Sequence, residues 1–325
     1  MSIQLLKYGE YLHVKGHEFV VGGSEKKQRI PFHKVNHAVI SSGNSVSTTA
    51  LFWLATYGIE TIVLSKTGKL VSTLVPAKDY ARADTRLKQY EAYFNNKGVE
   101  IAKDLVRKRI ESQISLMGKN NLDPSRLENS LFQLDFEGDR VDDIRAGLQG
   151  LEGRCTQEFF KQYFKQFPDY LKIEKRYQRA AKDPLNNLLN LGYEILRRRV
   201  HTAVVSAHLD PYLGYLHSTR MYHPALVYDM LEPWRTVAEE FILNYHENLS
   251  TDSFMKKGER NFLKRDEQIT FTNTLDKIID NRRIPYNRRG NSKTTRIRTA
   301  VKEEPRKLAQ YLRGKLDDHG LKFIT

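Results

Sequence analysis

The hydrophobic pattern of this 325-residue chain changes sharply near Tyr80. Before Pro76, short apolar or alternating runs such as EFVVG are separated by glycine-rich and polar turns, the pattern of β-strands. After Tyr80 come long stretches with a helical period and few glycines. One type of secondary structure cannot satisfy both patterns. We therefore predict a multi-domain α and β protein, with a small β-rich domain over 1–76, a linker at 77–85 and a larger all-α domain over 86–325.

Both predicted domains have expected elements of their own. In the first, residues 45–57 are expected to form a helix opened by a serine or threonine cap, and 59–64 with 70–75 a closing hairpin. In the second, Pro233 predicts a break, because proline removes a backbone hydrogen bond inside a helix. The predicted helices there cover 82–117 with a break near Asn95, 141–167, 184–207, and 224–247 with a break near Glu232. The later polar face of the first of them is expected to carry Lys103, Arg107, Lys108 and Arg109, as a solvated face or as a nucleic-acid face.

The charge of the chain limits the class of its partner. There are 53 lysines and arginines against 39 aspartates and glutamates, giving a net charge of +14 and favouring a polyanion such as nucleic acid. No apolar run reaches the roughly 18 residues of a membrane span, and the N-terminal pattern differs from that of a signal peptide. The single cysteine, Cys155, excludes an internal disulfide framework. These features predict a cytoplasmic nucleic-acid-binding protein with no membrane partner.

Much of the positive charge is concentrated in one segment near the C-terminus. Seven lysines and arginines lie from Arg282 to Arg298 with no acidic residue among them. Two interpretations are open, a solvated tail or a segment that contacts phosphates and orders on binding. We predict that DNA contacts come from this segment and from two arginines of the central stretch described next, namely Arg220, Arg235, Arg288, Arg289, Lys293 and Arg296.

A mostly apolar stretch, residues 209–235, carries isolated charged and titratable side chains. They are His217, His223, Asp210, Asp229 and Glu232. Asp229 and Glu232 are three residues apart and share one face of a helix. Two carboxylates and one imidazole suit Mg²⁺ or Mn²⁺, which are hard ions that prefer oxygen ligands. Asp210 is expected to be a turn residue and His223 a packing residue.

A further carboxylate, Glu152, lies beside the expected buried stripe of its helix rather than opposite to it. Glycines recur every third residue around it, at Gly147, Gly150 and Gly153. Each costs roughly 1 kcal/mol of helix propensity relative to alanine, which suggests that another backbone or a phosphate comes close. Composition alone favours a different explanation of Glu152, an ion pair with Arg145 or with a base on a neighbouring helix.

Three motifs occur in a fixed order along the second domain. They are LQGLEG at 148–153, DPLNNLLNLGY at 183–193, and GYLH at 214–217 followed after eleven residues by DMLEPWR at 229–235. In order and rough spacing they resemble the motifs of the CRISPR-associated integrase that captures spacers during adaptation. The resemblance covers nearly the whole chain.

This resemblance implies a metal-dependent DNA endonuclease and integrase. In that family, the 3′-hydroxyl of a captured DNA fragment attacks a phosphodiester at the end of a CRISPR repeat, and Glu152 matches a metal-binding glutamate. We predict Glu152, His217 and Glu232 as catalytic metal ligands for Mg²⁺ or Mn²⁺. Asp229 is predicted as a catalytic residue that supports the site or binds the metal occasionally. Alternatively, His217 is a general base and Asp229 completes the metal set.

The resemblance also implies the partners. They are double-stranded and branched DNA, a second copy of the chain in a homodimer formed through the β-rich domain, and a small second CRISPR-associated protein that bridges two dimers. Two other functions stay open. A generic metal-dependent nuclease of repair or recombination would cut DNA without joining it, and a non-catalytic scaffold would use its acidic residues as structural ion pairs.

Overall fold

A computed structural model describes residues 1–23, 27–74, 83–173, 175–177, 181–288, 291–317 and 322–323, of which the side chains at 286–288, 291–292 and 322–323 are left aside. The chain divides into two compact units, Met1–Ala83 and Asp84–Thr325. This division agrees with an N-terminal β-rich part followed by a mainly helical part.

In its described residues, the first unit contains two four-stranded sheets and one α-helix. Its elements are β1 Ser2–Leu5, β2 Tyr11–Lys15, β3 Glu18–Gly22, β4 Gln28–Pro31, β5 His37–Ser41, β6 Ser45–Val46, α1 Thr48–Thr56, β7 Glu60–Leu64 and β8 Leu70–Leu74. The sheet orders are β1-β5-β7-β8 and β4-β3-β2-β6. The predicted closing hairpin is confirmed, because β7 and β8 pair antiparallel. The predicted cap is Ser47, whose hydroxyl accepts from the backbone N–H of Ala50 at 3.2 Å.

Nine α-helices lie in the described residues of the second unit, the first of them beginning at the boundary residue Ala83. They are α2 Ala83–Tyr93, α3 Asn96–Lys119, α4 Ser125–Leu131, α5 Val141–Tyr163, α6 Pro184–Ser206, α7 Ala225–Leu231, α8 Arg235–Tyr245, α9 Arg265–Asn281 and α10 Ile297–Leu312. Sequence-local signals explain two helix starts. Asn95 caps α3 by accepting from the backbone N–H of Lys97 at 2.9 Å, and Asp183 caps α6 by accepting from that of Asn186 at 2.7 Å. None of the helices described is long and apolar enough to span a membrane.

The prediction of an all-α second domain is wrong. A hairpin joins β9 Phe254–Lys257 to β10 Arg260–Leu263, and a three-stranded sheet contains β11 Arg283–Arg288, β12 Asn291–Arg296 and β13 Lys322–Phe323. The charged sequence did not indicate β11, because strands pair through backbone groups and the arginine side chains need not be buried. Ile284 supplies the buried apolar contact, at 3% exposure, and Arg283 bonds across the hairpin to the hydroxyl of Thr294 at 3.0 Å.

The described part of the basic segment is therefore ordered rather than a solvated tail. Its hairpin leads into α10, which buries Ile297, Val301 and Leu308. This helix packs against α6 and α9. The apolar side chains at these helical positions fix the segment to the core, while Lys293 and Arg296 remain exposed on β12.

His201 on α6 is a mostly buried imidazole, and its Nδ1 has no hydrogen-bond partner in the described structure. Burial and then the charge of Arg197 lower the pKa of His201 to about 4, from an ordinary value of 6.5. The unfolded chain therefore takes up this proton more readily than the folded protein. Stability contributed by neutral His201 is complete above about pH 6.5 and is lost as the pH falls toward 4.

We expect His201→Phe to make the protein less sensitive to acid. Between pH 7 and pH 4.5 the variant should lose about 2 kcal/mol less unfolding free energy than the wild type, since each pKa unit corresponds to about 1.4 kcal/mol. Chemical unfolding at the two pH values measures the difference. His13→Phe, at an exposed position of the first unit, is the control and should follow the wild type. Equal pH dependence of His201→Phe and wild type would contradict the expectation.

Candidate metal centre and its cavity

A single carboxylate organises the loop between α6 and α7. Asp229 is fully buried and accepts backbone N–H bonds from Tyr215 at 2.5 Å, Leu216 at 3.0 Å and His217 at 2.8 Å. Gly214 permits this approach, because a Cβ there would lie 2.8 Å from an Asp229 oxygen. The GYLH motif is thus a loop wrapped around the side chain of Asp229. Asp210, elsewhere in the loop, is the expected turn residue and accepts from the backbone N–H of Tyr212 at 2.8 Å.

The same carboxylate sets the orientation of the His217 ring. Nδ1 of His217 lies 2.8 Å from Asp229 Oδ1, so the proton at Nδ1 is held by the carboxylate and Nε2 faces the other way. That second nitrogen lies 3.9 Å from Oε1 of Glu232. Burial lowers the pKa of His217, but the bond and charge of Asp229, with the charge of Glu232, outweigh it and raise the pKa. Asp229 therefore contacts His217 on the Nδ1 side of the ring, opposite to the Nε2 that would bind a metal.

Glu232 lies at the predicted break in the helix. The α-helix α7 ends at Leu231, a 3₁₀ turn covers Glu232–Trp234, and α8 begins at Arg235. Pro233 cannot donate the hydrogen bond that would continue the α-helix. Glu232 accepts from Nε of Arg235 at 2.9 Å. Burial raises the pKa of Glu232, but the charges of Arg235, His217 and Arg109 overcome this and hold it below its usual value.

Glu152 projects from the middle of α5. One of its oxygens accepts from the hydroxyl of Thr156 at 2.7 Å. Burial, and then the charge of Glu232, raise the pKa of Glu152. Arg145, the alternative partner expected from sequence, pairs instead with Asp142 and with the Tyr93 hydroxyl. Since the negative charge of Glu232 raises the pKa of Glu152, a cation bound near both carboxylates would stabilise the charged form of Glu152.

The three predicted metal ligands line one cavity of about 580 Å³. Four arginines line it as well, namely Arg109, Arg176, Arg197 and Arg235. Within the described ranges, no three His, Cys, Asp or Glu side chains already form a closed metal-binding cluster. One Glu232 oxygen is bonded to Arg235. The donor set nevertheless fits a hard cation, because two carboxylates and the imidazole Nε2 face one polar space.

Arg109 is a site residue that the sequence interpretation misplaced. The helix was expected to present it on a polar face, yet it is 1% exposed and bonded to Glu239 at 2.8 Å. Its Nε also lies 3.7 Å from Glu232. Spacing could have located it, since it follows the buried Leu105 by four residues and Val106 by three.

The asparagines of the second motif hold another arginine in the cavity wall. Arg176 donates to the side-chain oxygens of Asn186 at 2.9 Å and Asn190 at 2.6 Å. The Nδ2 of Asn187 bonds to the carbonyl of Asn261 in β10 at 2.7 Å. These bonds give the three asparagines a mainly structural role.

The glycines of the first motif differ in their surroundings. A Cβ at Gly147 would lie 2.4 Å from the Phe136 ring, whereas a Cβ at Gly153 would meet no described atom within 4 Å. Gly153 lines the cavity. Of the three glycines, only Gly147 therefore has the close contact that the sequence suggested. The atoms that approach it belong to a side chain rather than to another backbone.

The residues predicted to contact DNA occupy different parts of the second unit. Arg235 lies in the cavity, with its guanidinium 4.6 Å from the ring centre of Tyr193. Arg220 is exposed in the loop that carries His217. Lys293 and Arg296 are exposed on β12. The side chain of Arg288 and the whole of Arg289 lie outside the described residues.

Residues 3–277 match the family described as CRISPR associated protein Cas1. The CRISPR-associated endonuclease Cas1 of Korarchaeum cryptofilum is 28% identical over 260 residues, covering 74% of this chain and 76% of the relative. The CRISPR-associated endonuclease Cas1 3 of Thermus thermophilus is 30% identical over 249 residues, covering 74% of this chain and 72% of the relative.

Solved structures show the same fold. A Cas1 protein from Thermotoga maritima superposes with a TM-score of 0.79 at 22% identity, covering 97% of this chain and 98% of that chain. A casposase bound to integration product gives 0.80 at 21% identity, with coverages of 98% and 92%. A chain of a Cas6-RT-Cas1–Cas2 complex gives 0.74 at 19% identity, with coverages of 98% and 35%. Because the family match spans most of the chain and both relatives are Cas1 endonucleases, this protein belongs to the Cas1 family.

Proposed function

We propose that this protein is a metal-dependent DNA endonuclease and integrase that inserts captured DNA fragments into a CRISPR repeat array by 3′-hydroxyl attack on a phosphodiester. The observation that carries the proposal is the shared cavity, in which Glu152, His217 and Glu232 lie with four arginines. Membership in the Cas1 family supports the same activity.

Glu152, His217 through Nε2, and Glu232 would hold Mg²⁺ or Mn²⁺. When bound, such an ion polarises a phosphoryl oxygen and lowers the pKa of a hydroxyl nucleophile. Asp229 serves this set by fixing the His217 ring. Its oxygens already accept three backbone N–H bonds, so moving Asp229 to the metal would release the loop. This argues for His217 as a ligand rather than as a general base.

The remaining polar groups of the cavity suit a phosphodiester. Arg176 is positioned by two asparagines, and Arg235 lies over the Tyr193 ring, so both guanidinium groups are already ordered. Ordered cations can stabilise the negative charge that develops on phosphoryl oxygens without reorganising. The arginines would thereby orient the scissile phosphate against the metal ligands.

The proposed partners are double-stranded and branched DNA, a second copy of this chain, and a small second CRISPR-associated protein. The net charge of +14 supports DNA. Two similar structures, a casposase bound to integration product and a Cas6-RT-Cas1–Cas2 complex, support an integration product and a protein partner. The β-rich unit, which contains none of the proposed metal ligands, is the proposed homodimer interface.

A strand-transfer assay tests the proposed function directly. Labelled DNA fragments with a 3′-hydroxyl or a 3′-phosphate are incubated with repeat-bearing duplex in Mn²⁺, with and without the small partner protein. We expect joined product only from the 3′-hydroxyl fragment and none in chelator. Cleavage without joining under all conditions would instead identify a generic nuclease, and binding without either reaction a scaffold.

Replacing Asp229 with asparagine should weaken the site without touching a proposed ligand. The amide NH₂ would meet backbone N–H donors that now bond to carboxylate oxygens, so the ring of His217 would lose its fixed orientation. We expect roughly 10- to 100-fold lower joining, together with a higher Mn²⁺ concentration for half-maximal rate. Asp210→Asn, in the same loop but bonded to Tyr212 and Tyr90, is the matched control. Unchanged metal dependence in Asp229→Asn would exclude this positioning role.

A further inference from the structure

A four-residue turn projects from the loop that carries His217. The backbone N–H of His223 donates to the carbonyl of Arg220 at 3.1 Å, and these two residues form an isolated antiparallel bridge. Met221 and Tyr222 at its tip are 79% and 89% exposed. Among large hydrophobic side chains in the described part of the chain, that of Tyr222 is the most exposed.

The backbone of Tyr222 is in an unfavourable conformation for its residue type. Its φ is +58°, in the left-handed region that glycine, asparagine and aspartate occupy most readily. It is the third residue of the turn, where positive φ normally selects glycine or asparagine. Closure of the turn therefore does not explain an aromatic side chain there, and strain of this kind often marks a functional position.

The base of the turn is anchored in the cavity wall. The ring of His223 stacks on that of Tyr228, with centroids 4.5 Å apart and an angle of 9° between the planes. Both residues line the cavity that contains His217 and Glu232. The exposed tip is thus fixed at the edge of the proposed catalytic cavity.

The chemistry of the tip favours an unpaired nucleobase. Tyr222 offers an aromatic ring, and the adjacent Arg220 is also exposed. Aromatic rings beside a cationic groove are the usual means of holding single-stranded nucleic acid, because every base can stack on them. A protein partner would require a broader apolar patch, whereas Met221 and Tyr222 follow the exposed polar residues Thr219 and Arg220.

We propose that Tyr222 is a stacking platform for an unpaired base near the end of the DNA strand that enters the cavity. This inference rests on the proposed function in taking DNA as the substrate. Tyr222 is a positioning residue, since its ring lies outside the cavity lining. It should favour DNA ends with unpaired nucleotides over blunt ends.

Fluorescence of 2-aminopurine in the overhang of a 3′-tailed duplex tests this proposal, measured in chelator so that no reaction occurs. We expect the wild type to quench the fluorescence by stacking. Tyr222→Gly should bind the tailed duplex about tenfold more weakly and quench little, while its affinity for blunt duplex changes less than about twofold. Tyr222→Trp should restore both properties. Glycine suits the positive φ, so the thermal midpoint of Tyr222→Gly should not fall.

The matched control is Phe132→Ala, which removes a ring that is 86% exposed and does not line the cavity; it should behave as wild type. Equal affinity for the tailed duplex and equal quenching in wild type and Tyr222→Gly would overturn the proposal. It would also be overturned if Tyr222→Gly lost its dimers or its binding to the partner protein while its affinity for tailed DNA stayed intact. Quenching that depends on Tyr222 without any strand transfer would support the stacking role and reject the integrase function. Equal strand-transfer rates and equal quenching in wild type and Tyr222→Gly would support the integrase function and reject the stacking role.

Discussion

Replacing Glu152 with glutamine is expected to abolish joining and hydrolysis together, by about 10³-fold, with the fold retained. Loss of one charged metal ligand removes several kcal/mol of transition-state stabilisation, at about 1.4 kcal/mol per tenfold in rate. The fold should survive because burial and the charge of Glu232 already raise the pKa of Glu152. A neutral side chain of the same shape relieves that repulsion and can keep the Thr156 contact.

The measurements are strand-transfer and nuclease rates in Mn²⁺, with the thermal midpoint as the readout of folding. The control is Glu158→Gln, which removes an acidic residue of the same helix that forms a surface ion pair with Arg126. We expect this control to retain full activity. Joining by Glu152→Gln within tenfold of the wild-type rate would remove Glu152 from the metal centre, and loss of folding would show that its charge is structural.

Replacing Arg109 with methionine should cause the largest loss of stability. Arg109 is 1% exposed, and its partner Glu239 is fully buried. Removing the guanidinium leaves the buried carboxylate of Glu239 without its main counter-charge. Breaking such a pair costs about 3–5 kcal/mol, which corresponds to a fall of about 10 °C in the thermal midpoint of a unit of this size.

A double variant separates buried charge from lost packing. Glu239→Gln removes the negative charge and keeps an acceptor for the Tyr193 hydroxyl, which now donates to Glu239 at 2.5 Å. The combination of Arg109→Met and Glu239→Gln should therefore recover more than half of the lost stability. Equal midpoints for the single and double variants would mean that packing, rather than the unpaired charge, explains the loss.

Periodic apolar spacing and local caps predicted much of the fold. The break at Asn95 and the start of α6 at Pro184 follow from side chains within a few residues of the helix end. The β11–β12 pair could not be predicted in this way, because its partners are joined by backbone hydrogen bonds that leave charged side chains outside. For such charged segments, amino-acid composition indicates that the side chains stay exposed but does not indicate how the backbone pairs.

The candidate site shows a similar division between local and long-range information. The resemblance of three motifs to those of the integrase family singled out Glu152, His217 and Glu232, and the fold brings them to one cavity. The role of Asp229 depends on three backbone N–H groups twelve to fourteen residues earlier, so no helical periodicity could reveal it. Arg109 was misjudged because a charged residue was assigned to the solvent face despite its position on the apolar stripe.

Bonding of the GYLH loop to Asp229 has a mechanical consequence. His217 is fastened to α7 through Asp229, and Glu232 follows directly after the same helix, so the imidazole and this carboxylate move as one rigid body. Glu152 belongs to a different helix, α5. The geometry of the centre then has one principal degree of freedom, the separation of α5 from α7, and a small displacement of either helix would assemble or dismantle the whole centre.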